Sequence, residues 1–234
     1  MRLADVAVAT ITWARSEDEE RNLCASVERL AFHRLPIAVG DRGNSAAMAA
    51  RLAAIAGVSV APASSPTLVS QVQAAVHCAA TFGRPFILYT EPDKADFFSS
   101  GLRGFIDSAA SDPDVGVIVA GRSVAAFQTF PPVQRYTEGV MNHLCGELMG
   151  RKGDYCYGPL LFNAAFLPWI AGFEPTLGWG WRPALIARAH RLGWRVLEVT
   201  GDFPCPHDQT GETDQDRKYR TRQLGENVLG LLAD

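Results

Sequence analysis

The chain of 234 residues carries 22 Lys and Arg against 25 Asp and Glu, a formal net charge of −3, with 47% apolar and 20% charged residues. That composition fits a soluble globular chain with one sizeable core and excludes disordered, collagen-like and coiled-coil classes. It supplies no global cationic field for nucleic acid or anionic lipid. No apolar run reaches the roughly 18 residues of a membrane span, and the start, Met1-Arg2-Leu3-Ala4-Asp5, lacks the long apolar core of a signal peptide. Five cysteines (Cys24, Cys78, Cys145, Cys156 and Cys205) are odd in number and form no C-x-x-C pair. A reduced, cytoplasmic protein is the expectation.

In chain order, Val6 to Trp13 is a β-branched apolar run that predicts a buried strand. Ser16-Glu17-Asp18-Glu19 predicts a capping box, with Glu19 reaching back to the Ser16 amide. Leu23, Val27, Leu30 and Ala31 then share one helical face. Pro36 to Gly40 predicts a second strand, Asp41-Arg42-Gly43-Asn44-Ser45 a polar turn, and Met48, Leu52 and Ile55 a helix stopped by Gly57. Val58 to Ala61 predicts a third strand. Ser65-Pro66 reads as an N-cap with proline at the first helical position, opening a helix that Gly83 ends. Phe86 to Tyr89 predicts a fourth strand, a helix with Leu102, Phe105 and Ile106 follows, and Val115 to Ala120 predicts a fifth. Four β-α units and a strand predict an α/β fold, a mostly parallel central sheet with helices on both faces. Beyond it the pattern predicts helices over Pro132 to Met149, after Asn163, over Arg182 to Leu192 and over Asp214 to Leu232, with a strand over Trp194 to Val199. No linker interrupts the chain, so one domain over residues 1–234 is expected.

Ligands of open α/β sheets sit at the carboxyl ends of the strands, and those ends carry Thr10 to Arg15, Asp41 to Asn44 and Glu91 to Asp96. Glu91 and Asp93 flank a stiff Pro92. They either present two hard oxygen ligands to Mg²⁺ or Mn²⁺, and through it a diphosphate, or form an acidic solvated turn. Lys94 either offsets their charge or faces water. The absence of G-x-G-x-x-G, P-loop, H-E-x-x-H and G-x-S-x-G patterns argues against the common dinucleotide, NTPase, zinc-protease and α/β-hydrolase readings. His33, His77, His143 and His190 fall within helical segments and read as structural. His207, in Cys205-Pro206-His207 after a late strand, is either a metal ligand or a loop residue. Gly178-Trp179-Gly180-Trp181 puts Trp179 and Trp181 on a glycine-spaced loop, where indoles either stack on sugars or anchor a core. Tyr219-Arg220-x-Arg222 suits phosphate contacts or a solvated face. Lys94, Trp179, Trp181 and Arg220 make up the expected substrate-contacting set.

Taken in order, these elements resemble the GT-A fold of nucleotide-sugar glycosyltransferases, closest to the family 2-like group, over most of the chain. The resemblance rests on Thr10-Ile11-Thr12-Trp13, on Gly40-Asp41-Arg42-Gly43-Asn44-Ser45, on Glu91-Pro92-Asp93, on Gly172-Phe173-Glu174, on Arg188 to Val196 and on His207. It implies a nucleotide-binding half over residues 1–120 and an acceptor-side half over 121–234. It further implies nucleotide contacts from Thr10, Thr12, Trp13 and Asp41, and a Mn²⁺ or Mg²⁺ site of Glu91, Asp93 and His207. The first acid of the metal motif is Glu91 where the family carries Asp. The late loop, Gly180-Trp181-Arg182-Pro183, lacks the family's acidic general base. Glu174 is the only acid between Asp154 and Glu198, and it is the expected catalytic base if transfer inverts configuration. The implied activity is metal-dependent transfer of a hexose from a nucleoside diphosphate sugar to an unidentified acceptor. The alternative is a GT-A-like module that binds a nucleotide sugar or a protein partner without turnover.

Overall fold

The computed structural model describes residues 1–233. In chain order it contains β1 (Val6–Thr12), α1 (Glu17–Ala31), β2 (Ile37–Asp41), α2 (Ala46–Ala53), β3 (Val58–Pro62), α3 (Leu68–Ala80), β4 (Phe86–Tyr89), α4 (Leu102–Ser108) and β5 (Val115–Arg122). There follow α5 (Val124–Gln128), α6 (Pro132–Met149), β6 (Leu160–Asn163), α7 (Leu167–Ala171), α8 (Trp181–Arg191), β7 (Arg195–Gly201) and α9 (Asp214–Leu232). The chain forms two compact units: residues 1–111 with 159–176, and residues 112–158 with the chain from 177 onward.

Most predicted elements are present within one or two residues of their expected bounds, and local chemistry explains the shifts. Ser16 caps α1 by accepting the Glu19 N–H, but Glu19 takes the Arg15 N–H at 2.7 Å, one residue beyond the expected Ser16 amide. Helix α3 is capped by Thr67, whose hydroxyl accepts the Ser70 N–H, so Pro66 lies before the helix rather than at its first position. β6 and the five-residue α5 are elements the sequence reading missed.

In the first unit the strands run in the order β3-β2-β1-β4-β6. β1 is parallel to both β2 and β4, β2 is parallel to β3, and β6 alone runs antiparallel, against β4. Every residue of β1 and β4 is buried, as suits central strands of a covered sheet. The chain builds outward from β1 to β3 and then returns through α3 to the other side of β1. Right-handed crossovers in opposite directions put α3 on the face opposite α1 and α2. The packing agrees, since α1 lies against α2, whereas α3 covers β1 to β4 and meets α7.

In the second unit β5 and β7 pair in parallel, and α6, α8 and α9 pack on one another. α9 approaches the start of α8 at backbone distance. A Cβ on Gly180 would lie 2.2 Å from the Glu226 carbonyl oxygen, and one on Gly230 would lie 2.0 Å from the Gly180 carbonyl oxygen. Only glycine at both positions permits this approach.

Candidate functional site at the carboxyl edge of the first sheet

Strand order reverses between β1 and β4, which makes their carboxyl ends the switch point of the sheet, the usual ligand crevice of open α/β folds. Because β2, β1 and β4 are parallel, the segments after Asp41, Thr12 and Tyr89 leave at the same edge.

Hydrogen bonds organise the first two segments as one piece. Thr12 and Asp41 are register partners. The Asn44 side-chain amide donates to the Thr12 hydroxyl at 2.9 Å, to the Thr12 carbonyl at 3.2 Å and to Asp41 Oδ1. Asn44 Oδ1 accepts the Ala14 N–H at 2.9 Å. Asp41 Oδ1 also accepts the N–H groups of Gly43 and Asn44, so this one oxygen shapes the turn while Oδ2 takes none of these bonds. From below, the buried Gln71 of α3 donates to the Thr12 carbonyl at 2.9 Å and the Gly40 carbonyl at 3.4 Å. Thr10 is fully buried in β1, and no hydrogen-bond partner for its hydroxyl is present among the described residues. Trp13 is half exposed beyond the strand end, with the Arg42 guanidinium 4.3 Å from its ring centre.

The third segment holds the acidic pair. Glu91 is buried at the end of β4, Asp93 is exposed, and the Lys94 N–H closes the turn on the Glu91 carbonyl at 3.4 Å. Lys94 Nζ lies 3.4 Å from Asp93 Oδ2. The chain then enters a π-helical turn, Phe97–Gly101, with Phe97 and Phe98 buried beneath it. The Phe98 carbonyl meets His33 Nε2 at 2.6 Å, which gives that histidine the structural role expected of it. Two carboxylates at a strand end fit Mg²⁺ or Mn²⁺, which bind through one or two carboxylates and complete their shell with water and substrate phosphate. Among the described residues no group of three or more His, Cys, Asp or Glu side chains stands together to hold a metal ion. The candidate metal ligands are therefore the pair Glu91 and Asp93, without the third ligand expected of His207.

Glu174 also belongs to the first unit, exposed in the segment after α7. Gln73 of α3 holds that segment by donating to the carbonyls of Ile170, Ala171 and Phe173 at 3.1, 3.2 and 3.0 Å. Neither Gln71 nor Gln73 was singled out from sequence. Both lie on the apolar-patterned α3, where a polar residue pointing inward is the one available signal.

The remaining expected residues lie in the second unit. His207 is exposed in a short helical turn, His207–Gln209. Trp181 corrects the expectation of a sugar platform, because its side chain is fully buried at the start of α8 and offers no face to a ligand. The segment before it is anchored on α9. The Trp179 N–H donates to Glu226 at 2.9 Å, and Gly180 lies against α9. Arg220 pairs with Gln223 at 3.0 Å and with Glu138 at 3.8 Å.

Glu138 belongs to a buried ionic cluster. The Arg122 side chain donates to Asp154 through Nε at 2.6 Å and Nη2 at 3.0 Å, and also to Glu138, with the Phe127 and Phe130 rings 4.7 and 4.4 Å away. Burial alone would lower the Arg122 pKa, but the carboxylates of Glu138 and Asp154 outweigh it and raise the value. Burial alone would raise the Asp154 carboxyl, yet the Arg122 hydrogen bonds hold it below the usual range. Sequence reasoning passed over both residues, since nothing local joins position 122 to position 154.

The strand order, the reversal between β1 and β4 and the acidic turn at that edge define the architecture as a GT-A fold. Among solved structures the chain is similar to mannosyl-3-phosphoglycerate synthase from Rubrobacter xylanophilus, at 14% identity and a TM-score of 0.68, over 97% of this chain and 76% of that one. It is similar to glucosyl-3-phosphoglycerate synthase from Mycobacterium tuberculosis, at 15% identity and a TM-score of 0.68, over 98% and 81% of the two chains. The latter synthase in complex with Mn²⁺, UDP and glucosyl-3-phosphoglycerate matches at 13% identity and a TM-score of 0.63, over 98% and 80%. At these identities the likeness establishes the fold. No protein-family model and no curated protein sequence matches the chain.

Proposed function

We propose that the chain is a metal-dependent glycosyltransferase that moves a hexose from a nucleoside diphosphate sugar to a hydroxyl acceptor. The observation that carries this reading is the buried Glu91 and exposed Asp93 at the switch-point edge, level with the Thr12–Asp41 turn. The fold likeness to synthases solved with Mn²⁺ and UDP supports it. Mn²⁺ or Mg²⁺ held by Glu91 and Asp93 would supply Lewis-acid stabilisation of the departing diphosphate. Asp41 Oδ2 accepts a base N–H and Trp13 lines the base and ribose, while the fully buried Thr12 holds the turn through Asn44 instead of touching the ligand. Lys94 exchanges Asp93 for a phosphate oxygen. Glu174 takes the acceptor hydroxyl proton if configuration inverts. No disulfide joins the five cysteines among the described residues, which suits a reducing cytoplasm.

The test is a thermal-shift panel of UDP-, GDP- and dTDP-sugars with and without Mn²⁺, followed by donor hydrolysis and transfer assays. Stabilisation by one nucleotide, enhanced by Mn²⁺ and accompanied by turnover, is the expected outcome. Stabilisation without turnover across acceptors favours the binding-module reading. No stabilisation by any donor removes both.

A further inference from the structure

Helix α6 turns its core face inward through Gln134, Glu138, Met141 and Cys145. On its outer side Tyr136, Val140, Leu144 and Leu148 are 75%, 48%, 38% and 36% exposed. A spacing of four places them on one continuous ridge. Single exposed apolar residues are ordinary, but a ridge of four presents on the order of 400 Å² and marks an interaction surface.

Two further observations bear on what could cover it. Gly139 lies beside Val140 in the helix interior, where glycine costs about 1 kcal/mol relative to alanine. A Cβ there would meet nothing within 4 Å. The chain itself does not require the glycine, whereas a second helix crossing beside Val140 would. Besides the buried Glu138, α6 carries Arg135 near its start, whose guanidinium also donates to Gln128 at 2.6 Å, then His143, and Glu147 near its end. An antiparallel pair of such helices sets Arg135 against Glu147 twice, while a parallel pair would set like against like.

We propose that this face joins two copies of the chain about a two-fold axis lying between Val140 and Leu144. Tyr136 packs on Leu148 of the partner subunit, Val140 packs on Leu144 of the partner subunit, and Gly139 leaves room for the crossing. The arrangement is isologous, so one surface serves both subunits. The ridge is about half of the roughly 800 Å² per partner in a standard interface, which makes this a weak, concentration-dependent association. This association is independent of the transfer chemistry.

Sedimentation equilibrium of the full chain, from about 1 to about 200 μM, tests it. The expected result is a monomer–dimer equilibrium that Val140→Glu and Leu144→Glu weaken at least tenfold, with circular dichroism unchanged. Arg135→Glu and Glu147→Arg should each weaken it, and the double exchange should restore it, which keeps the test valid if an apolar-to-acid variant misfolds. A monomer throughout, or a dimer indifferent to all four substitutions, overturns the proposal. So does a monomer that cosediments with anionic vesicles through Leu144, which would make the ridge a membrane contact.

Discussion

Thr12 and Asp41 stand opposite each other in the parallel β1–β2 register, and one side-chain amide, that of Asn44, bridges both side chains. Two strand ends that would otherwise move separately are thus held as a unit before any ligand arrives, which lowers the ordering cost of binding.

The two oxygens of Asp41 can be separated by experiment. Asp41→Asn keeps an acceptor for the Gly43 and Asn44 N–H groups but replaces the second oxygen with a donor. It should fold normally and lose about 1–3 kcal/mol of nucleotide affinity, the range for a charged hydrogen bond. Calorimetric titration with the nucleotide selected by the panel measures this. Unchanged affinity would confine Asp41 to shaping the turn.

At the acidic turn, Asp93→Asn alters an exposed group and should leave thermal stability without ligand nearly unchanged. The extra stabilisation that Mn²⁺ gives a bound nucleotide should vanish, and Glu91→Gln should do the same. A Mn²⁺-dependent shift that persists in both variants would place the metal elsewhere.

Glu174→Gln preserves shape and removes charge. If Glu174 is the base, turnover should fall at least a hundredfold with donor affinity retained, since base catalysis is worth about 10² to 10⁴. Gln73→Ala frees the three carbonyls that fix the preceding turn. It should lower kcat more than donor affinity while leaving the pH profile in place. Near-normal turnover of Glu174→Gln would favour a retaining route.

Much of this was legible in the sequence for a local reason. The β-α alternation to residue 120, and helices α6 and α9, are encoded by periodicity and caps within each segment. β6 was not, because its four residues carry no period of their own and their partner, β4, lies about seventy residues earlier. Trp181 misled for a related reason: glycine spacing signals close approach, but not whether a ligand or the chain's own α9 approaches. Asp41 and Glu91 were visible because strand-end acids announce themselves, whereas Gln71, Gln73 and the Arg122–Asp154 pair depend on contacts distant in sequence.

That pair carries a stability prediction. Asp154 titrates below its ordinary range when folded, so acid protonates the unfolded chain first. Its stabilisation is complete above the ordinary aspartate value of about 4, and is lost as pH falls from there toward the depressed value. Asp154→Asn should cost about 3–5 kcal/mol at neutral pH by leaving a buried charge under-compensated. It should also flatten the acid limb of stability. Urea titrations across pH follow both effects, and an unaltered acid limb in the folded variant would refute the assignment.

The late arrival of β6 has a consequence for how the chain is made. Residues 159–176 complete the first unit, yet a ribosome releases them only after residues 112–158. Until then β4 emerges with one edge unpaired, the kind of surface that templates aggregation, and the contact that closes it spans a long loop and forms slowly. A fragment ending near residue 111 should therefore be sticky rather than a free-standing nucleotide-binding half. Appending residues 159–176 through a short linker, which brings β6 close to β4 in sequence, should restore a soluble species that closes faster than the natural order.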